Sequence, residues 1–128
     1  MLQAFRKADV QVAVIWIPML RGDNAAAARA AMALVRDPRV RHWYDSERLV
    51  GRAVASSLGA DGETAWDMYL FYASNAAWAG DAPPLPLEWL HQLKGRAWAD
   101  QARLRQGERL PPALRAAAGR IFAVGPER

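Results

Sequence analysis

One apolar run, Val10–Leu20, constrains the fold of this chain more than any other stretch. Its first part, Val10–Ile17, is rich in valine and isoleucine, whose branched Cβ atoms suit a pleated strand. The run is too short to cross a bilayer, which takes about 20 apolar residues. Because it is nearly continuous rather than alternating, it predicts a strand that is covered on both faces, as in α/β sheets. Pro18 has no N–H to donate and should end the strand.

The composition limits the chemistry available to the chain. Its 128 residues are 52% hydrophobic and 23% charged, which is typical of a globular protein with a real core. It has no cysteine, which excludes disulfides, thiolate nucleophiles and cysteine-based metal sites. We find no signal peptide and no membrane-spanning stretch, so we expect a cytoplasmic location and no membrane partner. The excess of arginine over lysine is typical of a bacterial chain.

The remaining pattern alternates strands and helices, which predicts an α/β fold. We predict four strands, at residues 10–17, 40–44, 67–72 and 76–79, the last two forming a hairpin. Helices are predicted at 2–8, 24–35, 47–58, 87–93, 96–105 and 111–123. Proline and glycine separate several of these segments, and no internal repeat or long linker is visible.

This order of elements resembles the thioredoxin-like superfamily, nearest its peroxiredoxin-type and thiol-disulfide oxidoreductase branches. In that family the redox helix is followed by a strand, a helix and then a strand–Asp–turn–helix segment, which here is Val40-Arg41-His42-Trp43-Tyr44-Asp45-Ser46-Glu47-Arg48-Leu49-Val50-Gly51-Arg52-Ala53. The resemblance covers residues 1–94. It implies a mixed sheet of about four strands flanked by helices, with residues 95–128 as a helical extension packed on it.

The departures from the family decide the functional expectation. The chain has no Cys-x-x-Cys site, and Ala65-Trp66-Asp67 stands where the family has a cis-proline. The family's first strand, which lies in the middle of the sheet, is also missing. No catalytic residue therefore carries over, and we expect a non-redox interaction or scaffold module. The missing strand would leave the edges of strands 10–17 and 67–72 without their usual neighbour, so either the two strands pair directly or a partner chain covers the gap. We expect a homodimer.

A second hypothesis places a ligand site at the carboxyl ends of the strands, where open α/β sheets bind ligands. Arg21, Asp23 and Asp45 follow the first two strands, and His42 lies in the second. Together they could bind a small anion or a metal, in a small-ligand-binding protein or an enzyme. The alternative is structural: Asp23 and Asp45 cap the helices that follow them, and His42 is an exposed strand residue. With only two histidines and no recognised motif, the sequence predicts no metal centre and no cofactor.

The six tryptophans suggest a third possibility, a partner surface. Indoles are enriched at interfaces, which makes Trp16, Trp43, Trp66 and Trp98 candidate interface residues. The alternative is that they fill the core in place of the missing strand.

The basic end of the chain raises a last alternative. The net charge of +4 arises after Lys94, and a nucleic-acid binder could use Arg96, Arg103, Arg105, Arg115 and Arg120. The sequence holds no recognised nucleic-acid module, so nucleic-acid binding ranks below the interaction module and the ligand site.

Overall fold

The computed structural model describes residues 1–122, and within them the chain is a small α/β protein. Its elements, in chain order, are β1 Val12–Trp16, α1 Ala25–Met32, β2 Val40–Tyr44, α2 Leu49–Ser57, β3 Met68–Phe71, β4 Glu88–His91 and α3 Leu110–Phe122. Single 3₁₀ turns lie at Leu2–Phe5, Gln101–Arg103 and Gly107–Arg109. None of the helices described is long and apolar enough to span a membrane.

The first half of the fold is a parallel β1–α1–β2 unit. Val12 pairs with Val40 at one end of the ladder and Trp16 with Tyr44 at the other. As predicted, the β-branched run forms a strand and ends before Pro18. Helix α1 begins where the Asn24 side chain accepts a hydrogen bond from the Ala27 N–H, and its alanines favour the helical conformation.

Arg39 ties the beginning of the chain to the start of β2. Its guanidinium pairs with Asp37 and also donates hydrogen bonds to the carbonyl oxygens of Leu2 and Phe5. The hydrogen bonds from Arg39 hold the pKa of Asp37 at about 2, below its usual 3.8. The ring of Phe5 then meets Phe122 edge to face, which brings the N-terminal turn against α3.

Helix α2 contacts parts of both halves of the molecule. Gly51 lies so close to its neighbours that a Cβ there would be 2.8 Å from the Ala65 oxygen and 2.9 Å from Ile17 Cδ1. The Ala65 N–H also donates to the Gly51 carbonyl. Further along, Val54 and Ala55 form the buried cluster with Ala60 and Ala65, against which Val50, Leu58, Met68, Leu70 and Trp98 pack. Three of the four buried residues are alanine, so the larger, partly buried side chains around them complete the packing.

The second half is the antiparallel pair β3–β4. Met68 pairs with His91 at one end of this ladder, and Phe71 pairs with Glu88 at the other. The prediction of a strand at 76–79 is wrong: that segment carries only a single bridge between Ala79 and Ala82. The prediction of a helix at 87–93 is also wrong, because Glu88–His91 is the strand that pairs with β3. Three leucines over seven residues are too few to establish a helical period, and the prolines at 83, 84 and 86 favour an extended backbone before this segment.

The prediction of a single thioredoxin-like sheet of four strands is also wrong. The described strands form two separate sheets of two strands each, one parallel (β1–β2) and one antiparallel (β3–β4). No ladder joins β1 to β3, and their backbones do not approach each other as closely as those of paired strands do. A continuous sheet would need either direct pairing of β1 with β3 or a further strand between them, and neither is present in the part of the chain described.

Residues 95–122 pack against the β3–β4 pair. The predicted helix at 96–105 is reduced to the 3₁₀ turn Gln101–Arg103, and Leu104 instead forms a parallel bridge with His91. Helix α3 lies where it was predicted up to Phe122, whereas Ala123 lies outside the described residues. Arg120 on α3 pairs with Glu88 at the start of β4.

Candidate interaction site

Asp23 and Arg21 lie in the loop that follows β1. The Asp23 carboxylate accepts hydrogen bonds from the backbone N–H groups of Met19 and Leu20, at 2.9 and 2.6 Å. Arg21 is exposed beside it. The carboxylate therefore shapes the loop, while the residue that caps α1 is its neighbour Asn24.

Asp45 lies at the beginning of α2. Its carboxylate accepts hydrogen bonds from the N–H groups of Leu49, Val50 and Gly51, at 2.8, 2.9 and 3.2 Å. These are donors that the first turn of a helix leaves free, and the negative charge also suits the positive end of the helix dipole. The bonds account for Asp45 as a helix-capping residue.

Arg48, beside Asp45, has a left-handed backbone with φ 60°, and its Nε donates to the Pro18 carbonyl at 2.9 Å. The guanidinium thereby fixes the start of α2 against the end of β1. This role cannot be predicted from the sequence, because a bulky residue at positive φ has no recognisable pattern in a single chain.

His42 is paired within the parallel sheet. Trp16 Nε1 donates to His42 Nδ1 at 3.1 Å, and the two rings stack with centroids 6.1 Å apart. His42 Nε2 lies 3.3 Å from the Val35 carbonyl. Since Nδ1 accepts, Nε2 carries the proton and donates to that carbonyl.

The four candidate ligand residues do not form a common polar site. In residues 1–122 no hydrogen bond or ion pair joins any two of Arg21, Asp23, His42 and Asp45. No group of three or more His, Asp or Glu side chains in this range could hold a metal ion. Ligand binding by these four residues stays a prediction, although three of them already have internal hydrogen-bond partners.

Two of the six tryptophans are well exposed, Trp43 at 49% and Trp78 at 47%. The other three candidate interface residues, Trp16, Trp66 and Trp98, are half-buried, and Trp98 packs on the buried cluster. Trp43 lies on β2, on the face opposite His42 because side chains alternate along a strand. Trp78 was not expected at the surface; it lines a shallow pocket of about 340 Å³ with Leu49, Val50, Ala53, Gly80 and Asp81.

The arginines after Lys94 are spread over several internal contacts. Arg103 stacks on the Trp89 ring at 4.9 Å and pairs with Asp100, and Arg120 pairs with Glu88. Arg105 donates to the Ala102 carbonyl. Only Arg96 and Arg115 of the five are exposed and without such a contact in the described part of the chain.

The inner edge of β1 is unpaired. The Val12 N–H donates to the Arg39 carbonyl, and the Trp16 carbonyl accepts from Asp45, so the backbone groups of residues 12, 14 and 16 face β2. Because backbone groups alternate between the two edges of a strand, those of Ala13, Ile15 and Ile17 face the other way. Within the described residues, nothing pairs with these backbone groups.

The inner edge of β3 shows the same feature. The carbonyls of Asp67 and Phe71 accept from Gln92 and Leu87, so residues 67, 69 and 71 face β4. The backbone groups of Met68, Leu70 and Tyr72 therefore face away, again without a partner among residues 1–122. Asp67, just before the strand, has a left-handed backbone with φ 49°. The sequence analysis expected strands 10–17 and 67–72 to lack their usual neighbour, and these are the same two strands.

A comparison of the chain with protein-family models, curated proteins and solved structures found no match.

Proposed function

We propose that this protein is a non-redox interaction module that binds other polypeptide chains through its unpaired strand edges. The observation that carries this proposal is the pair of open inner edges on β1 and β3, both in apolar segments. A strand edge exposes alternating N–H and C=O groups, which are a template for pairing with another chain. The absence of cysteine leaves no thiol chemistry for such a module.

A distant relationship to the thioredoxin-like superfamily is part of this proposal. What supports it is the order of elements, a parallel β–α–β unit followed by a helix, an antiparallel pair and a final helix. A cytoplasmic location is proposed with it, from the sequence alone.

The proposal includes a homodimer formed along the outer edge of β2. The backbone groups of His42 and Tyr44 face this edge, because those of the alternate residues face β1, whereas the Val40 N–H already donates to the Asp37 carbonyl. The exposed ring of Trp43 lies on the same strand. Two copies related by a two-fold axis could pair their β2 strands antiparallel, since such an edge is complementary to itself.

Sedimentation velocity at micromolar concentrations tests the dimer. We expect a mass of twice the 14.2 kDa of one chain, and a shift toward the single-chain mass in Trp43→Lys. Trp78→Lys is the matched control, because Trp78 is equally exposed but lies away from β2. A wild-type mass of one chain at every concentration would contradict the dimer.

The small-ligand hypothesis is less well supported by these contacts. Asp23, His42 and Asp45 make internal hydrogen bonds that explain their positions. Binding of inorganic phosphate that is lost in Arg21→Ala would favour this second hypothesis over the first.

A further inference from the structure

The open inner edges of β1 and β3 lie under the same helix. Gly51 of α2 contacts Ile17, at the end of β1, and the loop residues Thr64 and Ala65 that lead into β3. The next turns of α2 pack against Met68 and Leu70. The residues whose backbone groups are unpaired are therefore among those that α2 contacts in both half-sheets.

Most residues on the two edges are only partly accessible to water. Ile15, Ile17, Met68, Leu70 and Tyr72 are half-buried, whereas Ala13 is exposed. Buried or half-buried backbone N–H and C=O groups in proteins are nearly always hydrogen-bonded, because an unpaired one loses its bond to water and gains nothing in return. A further strand that hydrogen-bonds to these unpaired backbone groups would therefore stabilise both edges.

We propose that the open edges of β1 and β3 face each other across the width of one strand, and that one extended apolar segment of another protein binds there and adds a strand between the two half-sheets. This inference rests on the proposed function and names its binding site and ligand class. Only a polypeptide backbone offers donors and acceptors at strand spacing on both of its edges at once. A strand inserted between two others lies about 4.8 Å from each and can hydrogen-bond to both.

The charges around the space determine the kind of segment that fits. No residue of β1 or β3 is charged. The phenols of Tyr69 and Tyr72 are neutral at physiological pH, and burial raises the pKa of both further. A charged side chain in the inserted segment would lose its hydration without finding a counter-charge on these strands, so an uncharged, apolar segment is selected.

The segment comes from a different protein rather than from a second copy of this chain. Each apolar strand of this chain is already paired along one edge, β1 with β2 and β3 with β4. A second copy could not insert one of these strands into a single-strand space without bringing its neighbour or opening its own sheet.

Fluorescence anisotropy with a synthetic peptide tests the site. The probe is a labelled short peptide of alternating valine and threonine with lysine at both ends, and its control carries methyl groups on the backbone nitrogens. We expect saturable binding of the first peptide and at least about a tenfold loss of affinity for the methylated one. Equal binding of the two peptides, or no binding of either, would overturn the proposal.

Proline variants locate the site on the two edges. Ala13→Pro and Leu70→Pro each remove an N–H from an inner edge and leave the existing ladders their donors. Each should weaken peptide binding by about tenfold, while Ser74→Pro, in the turn closed by the Ala76 N–H and the Ala73 carbonyl, should not. Circular dichroism confirms that each variant is folded, and unchanged affinity in both folded edge variants would overturn the proposal.

The same samples separate this inference from the dimer. A dimer that fails to bind the valine–threonine peptide contradicts the strand site and leaves the dimer standing. A monomer that binds the peptide, with loss in the edge variants, contradicts the dimer and supports the strand site.

Discussion

Trp16 and His42 are joined across the parallel sheet by a hydrogen bond from the indole Nε1 to the imidazole Nδ1, 3.1 Å long. The bond links adjacent strands on one face, and the stacked rings pack beside it. We expect Trp16→Phe and His42→Ala to be coupled by about 0.5–1.5 kcal/mol in a double-mutant cycle of unfolding free energy. Additive effects of the two substitutions would show that the hydrogen bond contributes nothing to stability.

The carboxylate of Asp45 should stabilise α2. Asp45→Ala removes the acceptor for three backbone N–H groups at the helix start. We expect a loss of about 0.5–2 kcal/mol in the free energy of unfolding, measured by urea denaturation. Ser46→Ala is the control, because Ser46 is exposed and should change stability little. Equal stability of Asp45→Ala and wild type would refute the capping role.

Gly51 should tolerate no larger side chain. A Cβ there would lie 2.8 Å from both the Ala65 oxygen and Thr64 Cγ2, so Gly51→Ala forces neighbouring backbone to move. We expect a net destabilisation of about 1–3 kcal/mol, even though alanine favours the helix. The control is Gly119→Ala in α3, where the nearest atom is 3.9 Å from the new Cβ; this variant should gain up to about 1 kcal/mol. A stabilised Gly51→Ala would contradict the close packing of α2.

The pairing of Asp37 with Arg39 should make stability depend on acidity. The folded-state pKa of Asp37 is about 2, below its usual 3.8. A depressed pKa means that the folded state favours the ionised carboxylate, so its contribution is present above pH 3.8 and is lost as the pH falls toward 2. We expect the stability difference between wild type and Asp37→Asn to shrink over that interval in urea titrations. A difference that is constant from pH 5 to pH 2 would contradict the assignment.

Local features of the sequence predicted several elements well. The β-branched run gave β1, Asn24 and the alanines gave α1, and the apolar spacing after Asp45 gave α2. In each case the signal lies within a few residues, where propensity and capping act. The open edges of strands 10–17 and 67–72 were anticipated from the resemblance to the thioredoxin-like family.

The pairing of distant segments was harder to predict. The helix predicted at 87–93 rests on three leucines at helical spacing. The conformation of Glu88–His91 instead depends on its partner β3, which lies about 20 residues earlier in the chain. His91 illustrates the same limit: it is fully buried because Asp100 and Leu93 satisfy its ring nitrogens, which nothing in its local sequence indicates. The positive φ of Arg48 and Asp67 likewise depends on tertiary contacts.

Amide hydrogen exchange, followed residue by residue by NMR, tests the central claim that β1 and β3 have open inner edges. We predict fast exchange at Ala13, Ile15 and Leu70 and slow exchange at Val14 and Tyr69, whose N–H groups face a paired strand. Adding the valine–threonine peptide should slow exchange at the first group alone. Equal protection of both groups in the free protein would show that β1 and β3 pair directly, and would contradict the account.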